Sequence, residues 1–292
     1  MRPFDMLHGN GHAVLANADM LKLGHCVSTL CQIYRAASDR KILIGVDLDG
    51  ATLVRPPAIH KGVAREDTLA NSLIQIAHFC PAGPITGRPF EFVKGALDGL
   101  IGPDAPKHAF AATEAGAHIV DCKGNILFQK GIEGIEHLKA VFAKAITRHP
   151  GAIIEDHTMC SIIVGLTQAT GDDADVILSD MMTVAKDAIN GSKAADIVSG
   201  CHPGINVHMN IVPAGVNKGD ALRKIMAIPG NAGMMPIVVG DSEPDGDMFR
   251  VAEEMGGFSI GVGPKAPPAS LHVEDFTKAQ KIIANCAALV VR

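Results

Sequence analysis

The hydrophobic and polar positions divide the chain into stretches of different texture. Leu21, Leu23, Val27, Leu30 and Ile33 recur at spacings that place them on one face of a helix, so residues 1–38 predict a helical opening segment packed on the main body or at a subunit contact. From residue 41 the texture changes. Ile42-Leu43-Ile44-Gly45-Val46 is an unbroken apolar run ending in Asp47, Ile237-Val238-Val239-Gly240 ends in Asp241, and Phe258-Ser259-Ile260-Gly261-Val262 is a third run. Runs without alternation suit strands covered on both faces. Helical patterns at 66–78, 90–99, 219–228, 246–255 and 275–290 separate and follow them. Strands alternating with helices predict a Rossmann-like parallel α/β sheet whose functional residues lie at strand C-termini.

The middle of the chain reads differently. A helix over 133–148, strands at 152–155 and 161–164, helices at 171–178 and 180–189, and strands at 195–199 and 205–212 predict a smaller α+β module. Strand-plus-aspartate patterns lie on both sides of it, so it is an insertion. The expected organisation is a helical extension at 1–38, a core formed by 39–122 and 213–292, and an inserted module at 123–212.

Composition narrows the partners. At 292 residues the chain is long enough to bury a large core without disulfides or structural zinc. A formal net charge of −5 with mixed signs offers no general attraction to nucleic acid or anionic lipid. The absence of tryptophan and the single tyrosine argue against an aromatic binding platform. Seven cysteines without a CxxC pair suit a reducing cytoplasm. No apolar run approaches the roughly 18 residues of a membrane span, and Asp5, His8 and Asn10 interrupt any signal-peptide core. A cytoplasmic protein with a small-molecule partner is expected.

The chemistry concentrates at the strand ends. In Val46-Asp47-Leu48-Asp49-Gly50 two carboxylates at i and i+2 of an extended segment point the same way. Such close like charges call for a cation, and a hard divalent ion such as Mg²⁺ accepts oxygen ligands. Gly240-Asp241-Ser242-Glu243-Pro244-Asp245-Gly246-Asp247 delivers a second set of acids at another strand tip. If the two strands are neighbours, Asp47, Asp49, Asp241 and Asp245 converge on one crevice. Thr86-Gly87-Arg88 adds a hydroxyl and a guanidinium, and Thr86 is able to donate to a phosphoryl oxygen through side chain and backbone. Asn217-Lys218-Gly219 places an ammonium just before a helix, where it can meet an anion. Neither GxxxxGK[ST] nor a GxGxxG after the first strand occurs, so nucleotide binding through those scaffolds is unsupported.

In this order the four pieces resemble the motifs of the haloacid-dehalogenase superfamily of phosphohydrolases: Asp47-Leu48-Asp49-Gly50 the first, Thr86-Gly87-Arg88 the second, Lys218-Gly219 the third, and Gly240-Asp241-Ser242-Glu243-Pro244-Asp245 the fourth. The likeness covers about 40–290. The insertion resembles the large α+β cap, type C2, of the sugar-phosphatase branch. Within it Glu155-Asp156-His157, Pro213-Ala214-Gly215-Val216-Asn217-Lys218-Gly219 and Phe258-Ser259-Ile260-Gly261-Val262-Gly263 are similar to trehalose-6-phosphate phosphatases. The chain departs from the pattern at Ala51, which precedes the usual threonine (here Thr52), at His157, at Ile163-Val164-Gly165 and at Pro244-Asp245-Gly246.

The resemblance implies a Mg²⁺-dependent phosphomonoester hydrolase acting on a sugar phosphate or similar small phosphorylated metabolite. Asp47 is then the nucleophile and Asp49 the general acid and base. Mg²⁺ is held by Asp47, Asp241 and the carbonyl oxygen of Asp49. Thr86 and Lys218 clamp the phosphoryl oxygens, Arg88 lies near the substrate or the cap hinge, and Glu155 and Asn217 help recognise the substrate. Asp245 supports Lys218 or a metal-bound water. Two alternatives use the same residues: a phosphotransferase or mutase, and a non-catalytic sugar-phosphate-binding regulator. Ala51 is the best support for the last.

Overall fold

The computed structural model describes residues 17–49, 51–52, 67–149, 152–154, 158–166, 172–189, 195–202 and 206–292. The chain opens with α1 (Asn17–Ser38), β1 (Ile42–Val46), α2 (Asp67–Ala77), β2 (Ala82–Pro84) and α3 (Phe90–Ala96). A meander follows, β3 (Phe110–Thr113), β4 (His118–Asp121) and β5 (Ile126–Gln129). Next come α4 (Ile135–Ile146), β6 (Ala152–Ile154), β7 (Ile162–Leu166), α5 (Asp172–Ile189), β8 (Ala195–His202) and β9 (Asn206–Pro213). The chain then closes with α6 (Lys218–Met226), β10 (Met235–Gly240), α7 (Gly246–Glu254), β11 (Phe258–Val262), β12 (Leu271–Val273) and α8 (Phe276–Val290).

The central sheet is parallel throughout, in the order β12-β11-β10-β1-β2. The neighbouring strands β1 and β10 carry no polar side chain because both faces are covered. Ile42, Ile44 and Val46 join Ile33, Leu69, Leu73, Ile283 and Cys286 beneath α1, α2 and α8. Leu43 and Val238 point the other way and pack with Leu222, Ile225, Met248 and Phe249 of α6 and α7. Period-two alternation of side-chain direction sorts one strand into two cores. Burying each large aliphatic side chain contributes about 1.5–3 kcal/mol, enough to hold register without polar pairing.

The inserted segments build a second layer pair. An antiparallel sheet, β6-β7-β9-β8, carries Ile162, Val164, Met209 and Ile211 against Leu138 and Phe142 of α4 and Met181 and Ala185 of α5. This is an α+β cap inserted into the α/β core. Among the described residues, no helix is long and apolar enough to cross a membrane.

Three expectations need correction. The two helices expected at 171–178 and 180–189 are one, α5, since Ile177, Met181 and Ala185 keep the i, i+4 spacing across Ser179 with no breaker between them. The expected boundary at 123 falls within the β4–β5 turn: β5 pairs with β4, and Phe128 packs against the core cluster, so the strand sits with the core. In the opening helix Ile33, Ala36 and Ala37 are buried and the helix packs along α8, but Val27 is exposed.

Candidate active site

The site forms where three adjacent strand tips meet. β1 lies between β10 and β2, so the chain leaves it toward β2 on one side while the later strands build outward on the other, a topological switch point that opens a crevice at the strand C-termini. The N–H of Asp47 donates to the Val239 carbonyl at 2.8 Å and that of Ile85 to Val46 at 2.8 Å, extending the pairing one residue beyond the strands. Asp47, Asp241 and Thr86 are thereby carried to one level.

One carboxylate oxygen each of Asp47, Asp241 and Asp245 lie within 4.8 Å of one another, and all three residues are buried. Lys218 enters from the first turn of α6, its Nζ 2.9 Å from Asp47 Oδ1 and 2.6 Å from Asp245 Oδ1. The ammonium thus bridges two carboxylates of a buried group of three. Burial pushes the Asp47 carboxyl up to about 7; Lys218 opposes that, whereas Asp245, Asp241 and Asp49 add to it. Burial would lower Lys218, but Asp245 and Asp47 overcome it and hold the ammonium above its ordinary range.

Asp245 is fully committed. Its Oδ1 accepts from Lys218, and its Oδ2 accepts the N–H groups of Asp241 at 2.9 Å and Ser242 at 3.0 Å and the Ser242 hydroxyl at 3.2 Å. The single helical turn Glu243–Asp245, capped by Ser242 and with Pro244 as its second residue, folds the carboxylate back on its own strand tip. Gly240 makes room: a Cβ there would lie 2.4 Å from Asp245 Cγ.

Several expected residues take more specific positions than the sequence implied. Arg88 grips Asp49 with two donors, Nε to Oδ2 at 2.6 Å and NH2 to Oδ1 at 2.9 Å, a planar fork that only arginine offers. The backbone N–H of Thr86 donates to the Ala112 carbonyl at 2.9 Å, so only its hydroxyl is left for an anion, correcting the expected double donation. That hydroxyl accepts the Arg88 N–H at 3.3 Å. Asn217 caps α6, its Oδ1 accepting from the Asp220 N–H at 2.8 Å. The displaced hydroxyl of the first motif is not lost, because Thr52 Oγ1 donates to the Asp47 carbonyl at 2.5 Å while Ala51 joins the apolar core. Glu155 lies outside the described residues.

The sequence did not single out Glu114 or Asn210. Glu114 is buried in the β3–β4 turn, and its N–H and that of Ala115 donate to the carbonyls of Arg88 at 3.0 Å and Thr86 at 2.9 Å. Asn210, on β9, brings Nδ2 within 3.0 Å of where a Gly87 Cβ would be. An acid beside Thr113 and an asparagine flanked by Met209 and Ile211 were the available signals, and neither has a local pattern to mark it.

The donor set suits a hard divalent cation: Asp47, Asp241 and Asp245 each bring a carboxylate oxygen within 4.8 Å of the others, in excess of the one ammonium that Lys218 supplies. The parallel core, the inserted cap and the catalytic aspartate cluster define a hydrolase of the haloacid-dehalogenase superfamily. Comparison with known proteins narrows this. The family model described as trehalose-phosphatase matches residues 109–281, and the chain belongs to the trehalose-phosphatase family. It is 28% identical over 207 residues to a probable trehalose-phosphate phosphatase of Sinorhizobium fredii, covering 71% of each chain. It shares its fold with the C-terminal domain of the C. albicans trehalose-6-phosphate phosphatase (TM-score 0.69, 16% identity, covering 89% of this chain and 96% of that one). The same holds for the Aspergillus fumigatus trehalose-6-phosphate phosphatase (TM-score 0.56, 18% identity, covering 89% and 97%). The chain is a phosphatase of the haloacid-dehalogenase type.

Proposed function

We propose that the protein hydrolyses the phosphomonoester of a sugar phosphate through a covalent intermediate on Asp47, with Mg²⁺ as its cofactor. The observation that carries this reading is the buried Asp47 carboxylate, 2.9 Å from Lys218 and within 4.8 Å of the Asp241 and Asp245 oxygens. Trehalose 6-phosphate is the first compound to assay, because the relatives' names refer to trehalose phosphate.

In the first half-reaction an Asp47 carboxylate oxygen attacks phosphorus. The new O–P bond forms as the ester P–O bond breaks, and Asp49 gives its proton to the departing sugar oxygen. In the second, Asp49 takes a proton from water, the water oxygen attacks phosphorus, and the Asp47–phosphorus bond breaks to release phosphate. Lys218 and the Thr86 hydroxyl bear on the phosphoryl oxygens, where fixed donors stabilise developing charge. Asp245 holds Lys218 in place. Arg88 has to leave one oxygen of Asp49 before that group can hand over a proton. Asp47 and Asp241, with the Asp49 carbonyl, would hold Mg²⁺, which when bound neutralises the clustered carboxylates and the incoming phosphate.

The test is phosphate release from trehalose 6-phosphate and a panel of other sugar phosphates, with Mg²⁺ and after chelation. Release from at least one of them that needs Mg²⁺ is the expected result; no release from any would overturn the reading.

A further inference from the structure

Two of the three non-glycine residues with positive φ among the described residues stand side by side in the turn joining β3 to β4. Glu114 and Ala115 both lie in the left-handed region, at φ 52° and 58°, where side chains are strained. Such strain persists only where surroundings enforce it. Here the turn touches both the Thr86–Arg88 loop and the start of α6. Its N–H groups hold the Thr86 and Arg88 carbonyls. Gly116 lies against the start of α6, where a Cβ would be 2.6 Å from Ala221 Cβ and 3.1 Å from the Asn217 carbonyl.

The Glu114 side chain reaches in the opposite direction, to the cap. Oε1 accepts the N–H of Met159 at 2.9 Å. Oε2 accepts those of Cys160 at 2.8 Å and Ser161 at 2.7 Å, and the Ser161 hydroxyl at 2.7 Å. Three successive amides converge on one buried carboxylate just before β7. A carboxylate so enclosed is an expensive way to join two bodies, and apolar contact would suffice for adhesion alone. What the arrangement adds is register, because it grips the path of the backbone itself. A second cap contact bears on the same loop, where Asn210 approaches Gly87.

We propose that Glu114 is a positioning residue that fixes the cap segment Met159–Ser161 against the loop Thr86–Arg88, so that a substrate held by the cap meets the phosphate-binding groups in register. This deepens the sugar-phosphatase reading and rests on it. A small phosphate ester without a sugar makes no demand on cap register, whereas a sugar phosphate does.

The experiment compares E114Q and S161A with the unaltered protein on trehalose 6-phosphate and on p-nitrophenyl phosphate, and measures amide exchange at 159–161. E114Q places an NH₂ where the amides need an acceptor. It should lower kcat/KM on trehalose 6-phosphate, or on whichever sugar phosphate of the panel the unaltered protein hydrolyses best, by about tenfold or more while changing p-nitrophenyl phosphate turnover by less than about threefold. E114D, which keeps the charge, should recover part of the loss. S161A removes one donor from the cap side and should shift the substrate ratio in the same direction, and it carries the kinetic test if E114Q does not fold. Exchange at 159–161 should quicken relative to β10 in either variant. Equal losses on both substrates, or unchanged exchange at 159–161, would overturn the proposal. The D47N control separates the two ideas. Turnover surviving in D47N would refute the covalent mechanism, and the exchange measurement would still decide the tether.

Discussion

Arg88 donates to both oxygens of the Asp49 carboxylate, at 2.6 and 2.9 Å, from a position 39 residues further along the chain. The guanidinium is itself steadied by the Phe92 ring, whose centroid lies 4.7 Å from Arg88 Cζ. The group expected to move protons is therefore held by a partner that also borders the Thr86 loop. Replacing Arg88 by alanine should lower kcat by about 10²-fold, because Asp49 is no longer aimed. R88K keeps a charge but lacks the fork, and should lose less. Steady-state kinetics on the best sugar phosphate check both, and wild-type kcat in R88A would remove Arg88 from the mechanism.

Asp47 is buried beside Lys218 and two further carboxylates. D47N keeps its size and removes the carboxylate proposed to attack phosphorus, so turnover should fall by about a thousandfold or more with the fold unchanged. Phosphate release and circular dichroism together test this.

The Asp47 carboxyl is held up at about 7 by burial, against Lys218, with the other acids adding to the rise. In the metal-free protein the folded state therefore keeps a proton that the unfolded chain gives up near pH 4. This contribution to stability is full below about pH 4 and is lost as the pH rises through about 7. Mg²⁺ competes for the same oxygens. It should raise the thermal midpoint clearly above pH 7 and little near pH 5, and chelation should abolish activity until Mg²⁺ is restored. Melting curves with and without Mg²⁺ across this range measure the effect, and a Mg²⁺ response independent of pH would contradict it.

Thr52 restores, one position late, a hydroxyl to the loop after β1 by donating to the Asp47 carbonyl. T52V keeps the shape and leaves that carbonyl without its donor, so stability should fall by about 1–2 kcal/mol. Urea denaturation tests this, and an unchanged midpoint would show the bond to be dispensable.

A Cβ added at Gly240, the last residue of β10, would lie 2.4 Å from Asp245 Cγ. G240A must displace Asp245, and with it Lys218, and should cost about 10²-fold in kcat while leaving the sheet assembled. Kinetics alongside far-ultraviolet circular dichroism would separate a displaced site from a lost fold.

Much of this site was legible in the residues themselves. The apolar runs ending in Asp47 and Asp241 fall on β1 and β10, and the two strands are indeed neighbours, which brings these acids together with Asp245. The inserted cap was marked by the change of pattern after residue 123, although β5 stays with the core. The Thr86 backbone donor was misread because its N–H is taken by Ala112, a partner that arrives only when β3 lies alongside β2.

By itself the sequence determined the alternation of strands and helices, the aspartates at strand tips and the interruption by a second α+β pattern. These are legible because side-chain period and burial are local properties of a segment. Only the tertiary structure decided that Asp245 turns onto Lys218, that Arg88 closes on Asp49, and that Glu114 reaches Met159, Cys160 and Ser161 across 45 to 47 residues. Those pairings depend on which buried faces come together, and no local period along the chain encodes the distance between them.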